Sequence, residues 1–151
     1  MRSLRHSAWW VGVGLLGLAC SDKLRPIQTR HAAPDQPMEE HTALGASFAS
    51  KDSATLRRLL HPDLIVQPPE PDSARQGAAA IEYLLRLAVH TSVAESRLEP
   101  RRVVPEGPFV FEQGFWRLRS GDRTLRAPYS LRWRGSAAGW QVVLWRWGAF
   151  R

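Results

Sequence analysis

From residue 8 to residue 18 the chain reads AWWVGVGLLGL, an unbroken apolar run, and after residue 38 its apolar positions are spaced instead. The first spaced segment, residues 39–50, carries Leu44 and Phe48 four apart, the interval that puts two side chains on one face of a helix. SATLRRLLH follows over residues 53–61, with Ser53 placed to cap its first turn and Pro62 placed to stop it. A third helix is predicted from Ala78 to about His90, where Ile81, Leu84, Leu85 and Ala88 recur at helical spacing. Elsewhere the period is two. Residues 64–67 make a short strand and residues 93–104 another. Residues 109–119 (FVFEQGFWRLR) are aromatic and alternating, Gly121-Asp122 turns the chain, residues 124–134 return, GSAAG turns again and residues 140–147 close the meander. Helices first and antiparallel strands last make an α+β pattern.

The early apolar run has a different meaning. Arg2 and Arg5 precede it, and the small residue Ala19 ends it, directly before the chain's lone cysteine, Cys20. A charge, an apolar core and a small-residue cleavage site are the parts of a secretory signal. The run is shorter than the ~20 apolar residues that span a bilayer. LLGLAC, residues 15–20, resembles the lipobox of bacterial lipoproteins, which implies cleavage before Cys20 and acylation of its thiol. A lone cysteine has no disulfide partner in an oxidising compartment, and lipidation removes its thiol. Ser21 resembles residues that permit transfer to an outer membrane. The expected organisation is a signal at residues 1–19, a lipidated tether at 20–37 with three prolines after Cys20, and a folded domain at 38–151. The expected place is the cell envelope, on the outer membrane or the periplasmic face.

Without the signal, 132 residues remain, with nineteen basic and fourteen acidic side chains and a net charge of +5. That is one domain, large enough for a core without disulfides. Nineteen of the 21 basic residues are arginine, and eleven of these fall between Arg97 and Arg151 beside four acids. They alternate with apolar residues, as exposed strand positions do, so they read as a solvated sheet face. Export also removes the chain from cytoplasmic nucleic acid, and no nucleic-acid partner is expected.

Several landmarks recur in a known order: Phe48, the Lys51-Asp52 turn, Leu59, HPDLIVQPP (61–69), Gly77 with Ala80-Ile81, FEQGFWRL (111–118) and GWQVVLWRW (139–147). In that order they resemble the SnoaL-like, nuclear transport factor 2-like superfamily. The resemblance implies a cone-shaped, curved antiparallel sheet wrapped over three N-terminal helices, the cystatin-like fold. It also implies where an isomerase would keep its chemistry. The base position falls on Pro68 and the first-helix donor on Leu44, neither of which can act; the second donor corresponds to Tyr129 or, one residue on, Ser130, and Tyr129 keeps the alternation with Leu131 and Trp133. The acid that the cyclases carry near their last strand has no counterpart between Trp140 and Arg151.

Glu112 is the remaining carboxylate of interest. If the strand keeps its period, Val110, Glu112, Trp116 and Leu118 share a face and the carboxylate is buried among apolar groups, suited to proton transfer or to holding a polar ligand atom. If Gly114 marks a bulge, the face swaps and Glu112 pairs with an arginine outside. The histidines His31, His41, His61 and His90 are too dispersed for a local metal motif, and no cofactor or metal is expected. An interior lined by Phe48, Tyr83, Glu112, Trp116, Tyr129 and Trp133 is the expected ligand pocket. The expected function is a non-catalytic module binding an apolar small molecule or a protein partner, with homodimerisation through the outer sheet face. The alternative is an isomerase, cyclase or hydratase using Glu112 and Tyr129.

Overall fold

The computed structural model describes residues 36–151; the expected signal, the expected lipidation at Cys20 and the expected tether as far as residue 35 lie outside the described residues. Helix α1 (Met38–Ser50) carries Glu39 and Glu40 in its first turn, where carboxylates meet unpaired N–H groups. Its buried stripe is His41, Leu44, Gly45 and Phe48, with Ser47 beside it. The helix ends where Lys51 turns left-handed (φ 55°) and the Asp52 N–H reaches Ser47 O at 3.0 Å.

Helix α2 (Ser53–Leu59) is capped one residue earlier than expected. Asp52 and not Ser53 closes the first turn, its Oδ1 accepting from the Thr55 N–H at 3.0 Å. The left-handed step at Lys51 is the reason: it leaves Asp52 in the non-helical conformation that a cap requires and carries Ser53 into the helix. The Thr55 N–H holds the Asp52 carboxyl below the usual carboxylate range. This contribution to α2 is therefore present at neutral pH and is lost as the pH falls through the lowered value. The helix stops at Leu59, two residues before the expected His61. Pro62 disfavours helical geometry at the residue before it, and Leu60 is already extended.

Strand β1 (Leu60–Gln67) thus begins earlier than the alternation suggested. A two-residue strand, β2 (Arg75–Gln76), returns along it, and Gly77 at φ 60° opens α3 (Ala78–His90), which buries Ala80, Leu84, Leu85 and Ala88. Then come β3 (Glu95–Glu106), β4 (Phe109–Ser120), β5 (Arg123–Ser136) and β6 (Gly139–Trp147). The six strands form one curved, unclosed sheet in the order β2-β1-β6-β5-β4-β3. All pairs are antiparallel except β1 with β6, which run parallel. The helices cover one face, α1 lying on β3 and α3 on β1.

The phase of β4 decides what that covered face contains. Val110, Glu112, Trp116 and Leu118 are all buried, so the strand keeps its period through Gly114. The extra residue belongs to the neighbouring strand: pairing of β3 with β4 jumps between Pro100 and Arg102. That bulge brings the β3 backbone over Gly114, where a Cβ would lie 2.1 Å from Glu99 O and 2.8 Å from Pro100 Cα. A Gly114→Ala variant is therefore expected to lose at least about 2 kcal/mol, because backbone and not a flexible side chain must give way. Urea denaturation checks this, and an unchanged midpoint would contradict it.

Candidate functional site

Glu112 stands on β4 directly opposite Leu131 of β5, and Tyr129 and Trp133 flank Leu131 on the same inward face. Diagonal neighbours across an antiparallel pair are within reach of long side chains, and both reach the carboxylate. The Tyr129 hydroxyl donates to Oε1, and Trp133 Nε1 donates to Oε2 at 3.1 Å. From the helix layer His41 Nδ1 lies 2.9 Å from the same Oε1, while its Nε2 lies 3.2 Å from Leu98 O on β3. Gly45, one turn further along α1, permits this approach: a Cβ there would already be 3.1 Å from Leu98 N.

The donors and acceptors fix the arrangement. A backbone carbonyl only accepts, so His41 Nε2 carries a hydrogen, and one proton then lies on the line between Nδ1 and Oε1. Burial pushes the Tyr129 phenol far above its ordinary range, and the neighbouring Glu112 charge and hydrogen bond add to the shift, so Tyr129 remains a donor. Glu112 is 2 % exposed and His41 7 %. The carboxylate thus has three donors or proton partners, all from within the protein.

The other expected pocket residues sit in packed surroundings. Phe48 lies 4.9 Å from Trp116 and 5.5 Å from Trp145, ring centre to ring centre; Trp116 also meets Trp147 at 5.7 Å and Phe150 at 5.4 Å. Tyr83 is at the margin, stacked on Trp147 at 6.2 Å, with Arg75 over its ring and its hydroxyl donating to Asp72. Burial and the Asp72 carboxylate raise the Tyr83 phenol above its usual range. Structure therefore brings Glu112, Tyr129 and Trp133 together, places Phe48 and Trp116 in an adjoining aromatic cluster, and sets Tyr83 apart. Leu44, where the resemblance put an isomerase donor, is wholly buried.

An open cleft of about 920 Å³ lies on the opposite face of the sheet. Its floor is one row of outward positions on four adjacent strands: Gln67 pairs with Arg146, Arg146 with Ser130, and Ser130 with Gln113. Pro68, Pro69 and Glu70, from the segment after β1, line it from one side, and Pro128 and Gly148 also border it. Of the six expected pocket residues Tyr129 borders this cleft. Sequence reasoning passed over His41, although 41, 44, 45 and 48 form one helical stripe. It also passed over the cleft, whose floor joins strands that are remote in the chain.

Several solved structures share this architecture. The S. rosetta CaMKII hub is 19% identical, with a TM-score of 0.63, over 80% of this chain and 98% of that one. A candidate ketosteroid isomerase from Parabacteroides distasonis is 13% identical at a TM-score of 0.56, over 68% of this chain and 78% of its own. A nuclear transport factor 2-like protein of unknown function from Pseudomonas putida is 14% identical at 0.56, over 68% and 76%. No family model and no curated protein matches the sequence. The chain has the nuclear transport factor 2-like fold.

Proposed function

We propose that this chain is an exported, lipid-anchored binding module that holds a small molecule or a protein partner without transforming it. The observation that carries this reading is the internal saturation of Glu112 by His41, Tyr129 and Trp133. Isomerisation on this fold calls for a carboxylate base facing the substrate and donors aimed at the developing enolate. Here the phenol that would donate and the carboxylate that would abstract are bonded to each other beneath the sheet. The aromatic cluster around Trp116 fills the space beside them.

The test uses the full chain in detergent. No turnover of a β,γ-unsaturated ketosteroid above the buffer rate is expected; turnover that falls with Glu112→Gln would establish the enzyme reading instead. In the same preparation Cys20→Ala should move the protein from the detergent phase to the aqueous phase. A variant that stays membrane-bound and uncut would remove the lipid anchor from the proposal.

Self-association is the second part of the proposal. Ile65, Leu144, Phe111 and Val104 form an outward row on β1, β6, β4 and β3, interrupted on β5 by Arg132, and each is only partly buried. A second copy laid on this row would cover it. Light scattering is expected to give twice the chain mass, and Phe111→Glu to return the protein to a single chain.

A further inference from the structure

The outer cleft holds two opposite charges that do not neutralise each other. Arg146 rises from its floor, with neutral Gln67 and Ser130 at its sides, and Glu70 lines it from the segment after β1. Neither has an ion-pair partner among the described residues. Towards the β3 edge the same sheet face behaves differently: Glu95 and Glu99 tie Arg117, Arg119 and Arg126, and Glu106 meets Arg132. Acids placed on this face normally find an arginine. In the cleft the acid and the arginine stay apart, with Pro68 and Pro69 beside Glu70.

We infer that the cleft of Arg146 and Glu70 binds a small zwitterion of about dipeptide size, its carboxylate on Arg146 and its ammonium on Glu70. A guanidinium offers two parallel N–H donors to a carboxylate, and a carboxylate accepts from an ammonium; both bonds are charge-assisted. Gln67 and Ser130 flank Arg146 on the floor, and Gln113 stands beyond Ser130. A side-chain amide both donates and accepts, as a peptide group does, and a hydroxyl serves either way. The proline walls and Trp147 give apolar side chains a surface to lie on. The volume is in the range of pockets that take ligands larger than a single amino acid, roughly 300–1,000 Å³. A plain monoanion would leave Glu70 unanswered and a plain cation would leave Arg146 so; a zwitterion answers both.

The inference rests on the binding-module reading, and one titration series separates the two. Full-length protein in detergent micelles is titrated calorimetrically with the dipeptide Leu-Leu, with N-acetyl-Leu-Leu, which lacks the ammonium, and with Leu-Leu-amide, which lacks the carboxylate. Leu-Leu should bind saturably, and each analogue about ten-fold more weakly or worse, the loss of one charge-assisted bond. In Arg146→Gln the amide should bind as well as Leu-Leu, and in Glu70→Gln the acetylated peptide should. Both side chains are exposed, so both variants should melt as the native protein does. Equal binding of all three peptides, binding indifferent to either substitution, or no saturable binding would overturn the zwitterion site while leaving the module reading in place. Release of free leucine from Leu-Leu would overturn the module reading itself.

Discussion

Glu112→Leu is expected to lower the unfolding free energy by about 3–5 kcal/mol, because it takes the shared acceptor out of a buried hydrogen-bonded cluster. The substitution leaves His41 Nδ1, the Tyr129 hydroxyl and Trp133 Nε1 with no acceptor in the positions they now occupy. Each unsatisfied buried group costs about 1–3 kcal/mol, so the three together account for the total. Removing the histidine as well should recover part of the loss, because a buried pair replaced by apolar side chains of similar size is often neutral. The double variant His41→Leu with Glu112→Leu should then be more stable than the sum of the two single losses predicts, by about 1 kcal/mol or more. Urea denaturation of the four proteins measures this directly. Strict additivity would mean that His41 and Glu112 are not coupled and that the histidine does not hold the carboxylate.

Trp116→Ala should be comparably severe, about 3–5 kcal/mol, as for other large aromatic truncations in a core. That lowers the melting temperature by roughly 10–25 °C for a domain of this size. Its ring touches Phe48, Trp145, Trp147 and Phe150, and its Nε1 donates to Ser96 Oγ at 3.0 Å. Trp145→Phe offers a contrast within the same cluster. The Trp145 Nε1 is buried with no hydrogen-bond partner among the described residues, so that change removes volume but none of the described hydrogen bonds, and about 1–2 kcal/mol is expected. A Trp116→Ala protein that melts near the native temperature would mean that the interior tolerates a large void. The space beneath the sheet, and not the outer cleft, would then be the better place to look for a ligand.

Much of this architecture was legible because strand alternation and helical spacing are local signals. Leu84, Leu85 and Ala88 are buried as their spacing predicts, and the meander from Phe109 to Trp147 needs only period two and two turns. The inward position of Glu112 was legible as one of two phases. The choice between them was not, because Gly114 announces an irregularity without saying which strand carries the extra residue. The bulge falls on β3, and Gly114 is small to make room for it. His41 was missed for a related reason: a polar residue at the start of a helix is usually solvated, and only its partner on a distant strand makes it a core residue. Strand β2 has two residues and leaves no periodic trace. The floor of the outer cleft joins positions 67, 146, 130 and 113, whose common level is set by register between strands. No local pattern contains that information.

The two borders of the sheet have a consequence for how copies of the chain can meet. Strand β3 carries Pro100 and Pro105, which lack an N–H to offer, a bulge that breaks its ladder, and Arg101 and Arg102 at that break. At the other border β2 is only two residues long. An exposed strand edge is a template on which another chain can add and continue into fibres, and prolines, bulges, charge and brevity are the devices that blunt it. Both borders here are blunted. End-to-end sheet growth is thereby disfavoured, which leaves the sheet faces as the surfaces on which copies of this domain would meet.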